Sequence, residues 1–133
     1  MNVLEESLYD ALAGNAPLLA VVSTRIYRQT APPGAVYPLV LFGLNAGGDE
    51  NTTSVDSLDV RYAVRGVSEV STDQAGDVDD LIRTVLHKTA LTVTGWSNFW
   101  TTRGAEIRLT EIDPSGKRFY HAGAIYRIRL DKT

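Results

Sequence analysis

The chain has 133 residues, a formal net charge of −3, 44% hydrophobic and 22% charged residues, and no cysteine. That size fits one domain, residues 1–133, large enough to bury a single core, and the absence of cysteine excludes a disulfide framework or a thiolate metal site. The longest apolar run, Pro17–Val22, is too short to cross a bilayer, and the opening MNVLEESLYD lacks the basic start of a secretion signal, so a cytoplasmic, soluble protein with no membrane partner is expected.

Residues 3–13 read as a helix, with Leu4, Leu8, Ala11 and Leu12 on one apolar stripe. Asn2 and Glu5 form a capping pattern at its start, and Gly14-Asn15 suits a left-handed stop. Pro17 opens a second short helical turn through Val22. A brief strand over Arg25–Arg28 follows, then a rigid Ala31-Pro32-Pro33-Gly34 turn. Leu39–Leu44 reads as a strand. Asn45–Ser57, with Gly47-Gly48 and Asn51-Thr52-Thr53-Ser54, has a loop composition and is expected to be mobile.

Leu58, Val60, Tyr62 and Val64 alternate with Asp59, Arg61, Ala63 and Arg65, a strand with one face in the core and one in water. Thr72–Lys88 is the main helix: Ala75, Val78, Leu81, Ile82, Val85 and Leu86 share a broad apolar stripe, and Ser71 or Thr72 caps it. Leu91–Thr94 reads as a short strand and Gly95–Trp100 as an irregular aromatic segment. Glu106–Ile112 and Arg118–Leu130 form a hairpin closed by Asp113-Pro114-Ser115-Gly116. The order predicts an α+β fold, a single mostly antiparallel β-sheet with two helices packed on one face.

Catalytic and metal-binding patterns are sparse. His87 falls on the polar face of the main helix and His121 lies mid-hairpin; neither has a nucleophile elbow or a set of metal ligands beside it. Asp73, Asp77 and Asp80 share a helix face, but acids in the first turns are favoured by the helix dipole, and Asp79 can pair with Arg83. Gly47-Gly48 lacks the lysine and helix start of a phosphate loop. No cofactor and no enzymatic activity are expected. The alternatives are a small hydrolase built on His87 and the helix acids, or a nucleic-acid module built on the basic hairpin. The net charge argues against the second.

Two features point to partners. Trp96, Phe99 and Trp100 either cap the core or anchor a partner. Residues 1–60 carry two basic and seven acidic side chains (net −5), residues 61–100 four and five (net −1), and residues 101–133 seven and four (net +3). Unless the halves interleave in the fold, that asymmetry can draw copies together head to tail.

Several segments together are similar to the phage tail terminator or tail-completion family, which also occurs in gene transfer agents. They are Leu8-Tyr9-Asp10-Ala11-Leu12, Arg25-Ile26-Tyr27, Ala31-Pro32-Pro33-Gly34-Ala35 and Tyr37-Pro38-Leu39-Val40-Leu41-Phe42. The order of elements matches over nearly the whole chain, although the tryptophan cluster is not a family feature. The resemblance implies a structural virion protein at the head-proximal end of the tail, assembled in the host cytoplasm. Its copies would form a hexameric ring that caps the tail tube, ends its polymerisation and joins the head–tail connector protein. The partners implied are copies of the chain itself, the tail tube protein and the connector, with DNA only as cargo passing through the lumen. A head–tail connector, or another small tail component of the same fold, is the neighbouring reading. The charge split then assigns Arg103, Arg108, Arg127 and Arg129 to face acids of a neighbour, Asp49 and Glu50 among them.

Overall fold

Helix α1 (Asn2–Ala13) forms because its leucines recur at i, i+4 and i+8, and Leu4, Leu8 and Leu12 are all fully buried. Asn15, expected to help stop α1, instead caps α2 (Ala16–Val22): its side chain accepts from the Leu18 amide at 3.0 Å, with Pro17 in the first turn. The computed structural model describes residues 2–49 and 57–132. The remaining elements are β1 (Ile26–Arg28), β2 (Leu39–Asp49), β3 (Ser57–Ser68), α3 (Thr72–Leu86), β4 (Trp96–Ile112) and β5 (Arg118–Lys132).

The five strands form one sheet in the order β1-β2-β3-β5-β4. The α+β class is as expected, but the sheet is mixed. β1 runs parallel to β2, with Tyr27 opposite Leu41, while β2–β3, β3–β5 and β5–β4 are antiparallel. The cause lies in residues 29–38. A turn in which the Ala35 amide donates to the Pro32 carbonyl at 3.1 Å, with Gly34 at φ +75°, reverses this segment. The chain therefore returns to the end where β1 began, and β2 starts in the same direction. The count of two helices also changes, since α2 adds the buried Leu18 and Val22.

The main core joins leucines of α1 and α2, Val78, Ile82 and Leu86 of α3, and even-numbered strand residues such as Val60, Val64, Ala124 and Ile128. Gly66 makes close approach possible here, because a Cβ at that position would lie 2.6 Å from the Val78 side chain. The odd-numbered residues of β3 and β5 project to the other side. One end of that face holds a smaller cluster of Leu39, Leu41 and Val67, against which Tyr27, Ala31, Tyr37 and Phe119 pack. Tyr37 and Phe119 meet edge to face at 5.2 Å.

Three boundaries differ from the sequence reading. Asn45–Asp49 belong to β2, because their backbone continues the ladder to β3 past a register shift between Leu44 and Ala46. Ser57, the last residue of the expected loop, begins β3, and residues 50–56 lie outside the described residues. Residues 91–94 are not a strand: Val93 makes only an isolated bridge to Trp96. β4 begins at Trp96 and is continuous, with register shifts between Asn98 and Thr101 and between Arg103 and Glu106. The predicted hairpin turn is present, and the Asp113 carboxylate accepts from the Ser115 and Lys117 amides at 2.9 Å each.

Candidate assembly surface

Alternation along β3 and β5 decides which charged residues share a face. Asp59, Arg61 and Arg65 of β3 and Arg127, Arg129 and Asp131 of β5 occupy odd positions, opposite to the helices. In register, Arg61 stands opposite Arg127, Asp59 opposite Arg129, and Ser57 opposite Asp131. Asp59 accepts two hydrogen bonds from Arg127, at 2.9 and 2.6 Å. That bond, reinforced by the charges of Arg127, Arg61 and Arg129, holds the Asp59 carboxyl below the usual carboxylate range against the opposing effect of burial. Asp131 accepts from the Ser57 hydroxyl at 2.7 Å. Beside this group a cleft of ≈ 340 Å³ is lined by Arg61 and Arg127, by residues 102–105 of β4 and by Ile125.

The residues singled out in the sequence fall in different places. Arg127 and Arg129 meet on this face. Arg108 is exposed on β4, 3.3 Å from Glu106. Arg103 is spent inside its own chain. Its guanidinium donates to both Asp79 carboxylate oxygens at 2.8 Å and to the Tyr126 hydroxyl at 3.0 Å. Both side chains of the pair are shielded, Arg103 to 12% and Asp79 to 4% exposure, and the Asp79 bond pushes the arginine pKa above its already high ordinary value. The Arg103 amide also donates to Nδ1 of His87 at 3.1 Å. His87, expected on the polar face of the main helix, is its half-buried C-cap and braces the end of α3 against β4. Trp96 packs against the main core. Phe99 and Trp100 are β4 residues and Asp49 ends β2, but their side chains, and Glu50 altogether, lie outside the described residues.

Sequence reasoning missed that Arg61 and Arg65 share this face with Arg127, Arg61 directly opposite it. The signal lies in the strict alternation of residues 58–65, which puts Asp59, Arg61 and Arg65 on one side of β3. On the far side of the molecule α1 turns Glu6, Tyr9 and Asp10 to solvent. His121, expected as a strand residue, lies in β5 with 6% exposure, and neither ring nitrogen has a hydrogen-bond partner. Glu111 approaches its Nε2 only to 3.5 Å. No group of three or more metal-ligating side chains occurs among the described residues.

The fold class is a mixed α+β sheet with the helices on one face and charged side chains on the other. Residues 6–131 match the family of tail completion protein gp17. The chain belongs to that family, whose members are structural proteins of the phage tail. Among solved structures it is similar to a chain from the virion of a native gene transfer agent particle, with a TM-score of 0.74 and 14% identity over 96% of this chain and 94% of that one. No curated protein matches.

Proposed function

We propose that this chain is one domain that assembles with copies of itself into a ring, most simply of six, at the head-proximal end of the tail tube. There it ends tube polymerisation and offers the surface that joins the head–tail connector, with DNA passing through the lumen. Membership of the tail completion family over residues 6–131 carries this reading. The fold shared with a chain of a gene transfer agent virion is consistent with it. So is the charged, helix-free sheet face bearing Arg127 and Arg129, since a ring needs a patch on each copy that fits a different patch on the next. Asp49, Glu50, Arg108 and the Trp96–Trp100 segment remain candidates for contacts with neighbours. Arg103 is assigned to holding the subunit together.

The test is imaging by negative stain of the purified chain alone and mixed with tail tubes. Rings in the first sample, and a cap at one end of tubes of fixed length in the second, are expected. Bare tubes that continue to grow in its presence would refute the reading. A subunit seated on the capsid side, with the tube end capped by another protein, would favour the connector reading instead.

A further inference from the structure

We infer that the arginine-bearing face of the β3–β5 pair receives the acidic outer stripe of α1 from the next copy of this chain. The inference rests on the ring reading and names the two patches that meet.

The receiving patch is rich in arginine. Arg61 and Arg127 stand directly opposite in register, an arrangement that destabilises a strand pair unless something intervenes. Asp59 is already engaged twice by Arg127, and Asp131 is engaged by Ser57. Arg65 extends the positive strip along β3. Among the described residues neither Arg61 nor Arg65 makes an ion pair within the chain. The cleft beside them has Ile125 in its wall and Arg61 and Arg127 in its lining. An apolar wall with a basic lining suits an aromatic ring flanked by acids.

The same chain carries that complement. α1 buries Leu4, Leu8 and Leu12 and leaves Glu6, Tyr9 and Asp10 exposed on its outer side. Glu5 is bound to Arg28, but neither Glu6 nor Asp10 makes an ion pair within the chain among the described residues. Tyrosine is favoured at the centre of contacts, and its ring attracts a guanidinium. α1 contributes to the core on one side of the sheet, while the arginines project from the other. The two patches thus lie on opposite sides of the subunit, and a contact between them is heterologous, copy after copy in the same sense. A nucleic-acid backbone is the other anionic occupant such a face could take. The complement on the chain's own α1 favours a second copy.

The test uses the purified full chain, read by size-exclusion chromatography with light scattering. Arg61→Glu with Arg65→Glu, or Glu6→Lys with Asp10→Lys, should each weaken self-association by about tenfold or more. The two reversals combined in one chain should restore it. Glu6 and Asp10 are exposed and Arg61 and Arg65 half-buried, and thermal melts of each variant confirm that it is folded. A photo-crosslinking residue at Tyr9 should capture peptides from β3 or β5 of another copy. Wild-type rings that ignore both reversals, or crosslinks that fall on another surface, overturn this contact and leave the ring reading standing. A wild-type chain that is monomeric both alone and on tubes overturns the ring reading and this contact with it. Loss of duplex DNA binding on Arg61→Glu with Arg65→Glu, without loss of self-association, assigns the face to nucleic acid and also overturns it.

Discussion

Asp79→Ala removes the carboxylate that accepts two 2.8 Å hydrogen bonds from Arg103. The guanidinium, only 12% exposed, then keeps the Tyr126 hydroxyl at 3.0 Å and a long contact to the Gly123 carbonyl at 3.5 Å. Breaking a buried pair by deleting one partner costs about 3–5 kcal/mol. The residual acceptors place this variant at the lower end, about 3 kcal/mol. Arg103→Ala leaves the more deeply buried ion, Asp79 at 4% exposure, and should cost more, about 4–5 kcal/mol. Against a total stability of about 5–15 kcal/mol, either variant should lower Tm by roughly 10 °C or more. Replacing both, as Asp79→Leu with Arg103→Met, removes the stranded charge. It should cost well under the sum of the single changes, with a coupling of at least about 2 kcal/mol. Urea unfolding of the four proteins measures the cycle. Single-variant losses under about 1 kcal/mol, or additivity within about 0.5 kcal/mol, would show that the pair is not what fastens α3 to β4 and β5.

Two further outcomes follow from packing and burial. Gly66→Ala places a methyl 2.6 Å from Val78 and should cost about 2–3 kcal/mol in urea unfolding. Gly76→Ala in α3, where the nearest atom is Arg108 Nη1 at 3.9 Å, should instead add about 0.5–1 kcal/mol. The His121 pKa lies below its ordinary value, because burial and the charge of Arg65 from β3 disfavour the imidazolium more than Glu111 from β4 favours it. The unfolded state therefore binds the proton more tightly, and His121 should make stability fall as pH drops below about 6.5 toward the depressed folded value. In His121→Leu, acid titration followed by circular dichroism should show a shallower loss over that window. An unchanged slope would refute the assignment.

What the sequence made legible was what depends on period. The leucines of α1, the stripe of α3 from Ala75 to Leu86, the alternation of β3 and the Asp113–Gly116 turn all stand where their spacing put them. The first half of β4 was hidden because two register shifts, at Asn98/Thr101 and Arg103/Glu106, break the alternation that marks a strand. Asn45–Asp49 reads as loop because Gly47, Gly48 and Asp49 disfavour strands, yet the ladder to β3 holds it. The buried Arg103 did leave one trace. Asp79 follows Val78 and precedes Ile82 by three, on the buried stripe of α3, and a carboxylate there requires a buried cation. Pairing it with Arg83 on the same helix solved the local problem and missed the longer-range one.

The arginines of this chain are used in two opposite ways, and the difference bears on assembly. Arg103 is desolvated, fully partnered and fixed, and contributes to the shape of the subunit. Arg61, Arg65, Arg127 and Arg129 stand on a sheet face where like charges oppose each other and Arg127 is 52% exposed. Exposed pairs contribute only about 0–1 kcal/mol each and are screened by salt. That face is therefore poorly suited to stabilising the fold and well suited to choosing the orientation and speed of an encounter. In the proposed ring, contacts of this kind can be weak singly and sufficient when repeated around a closed set of copies.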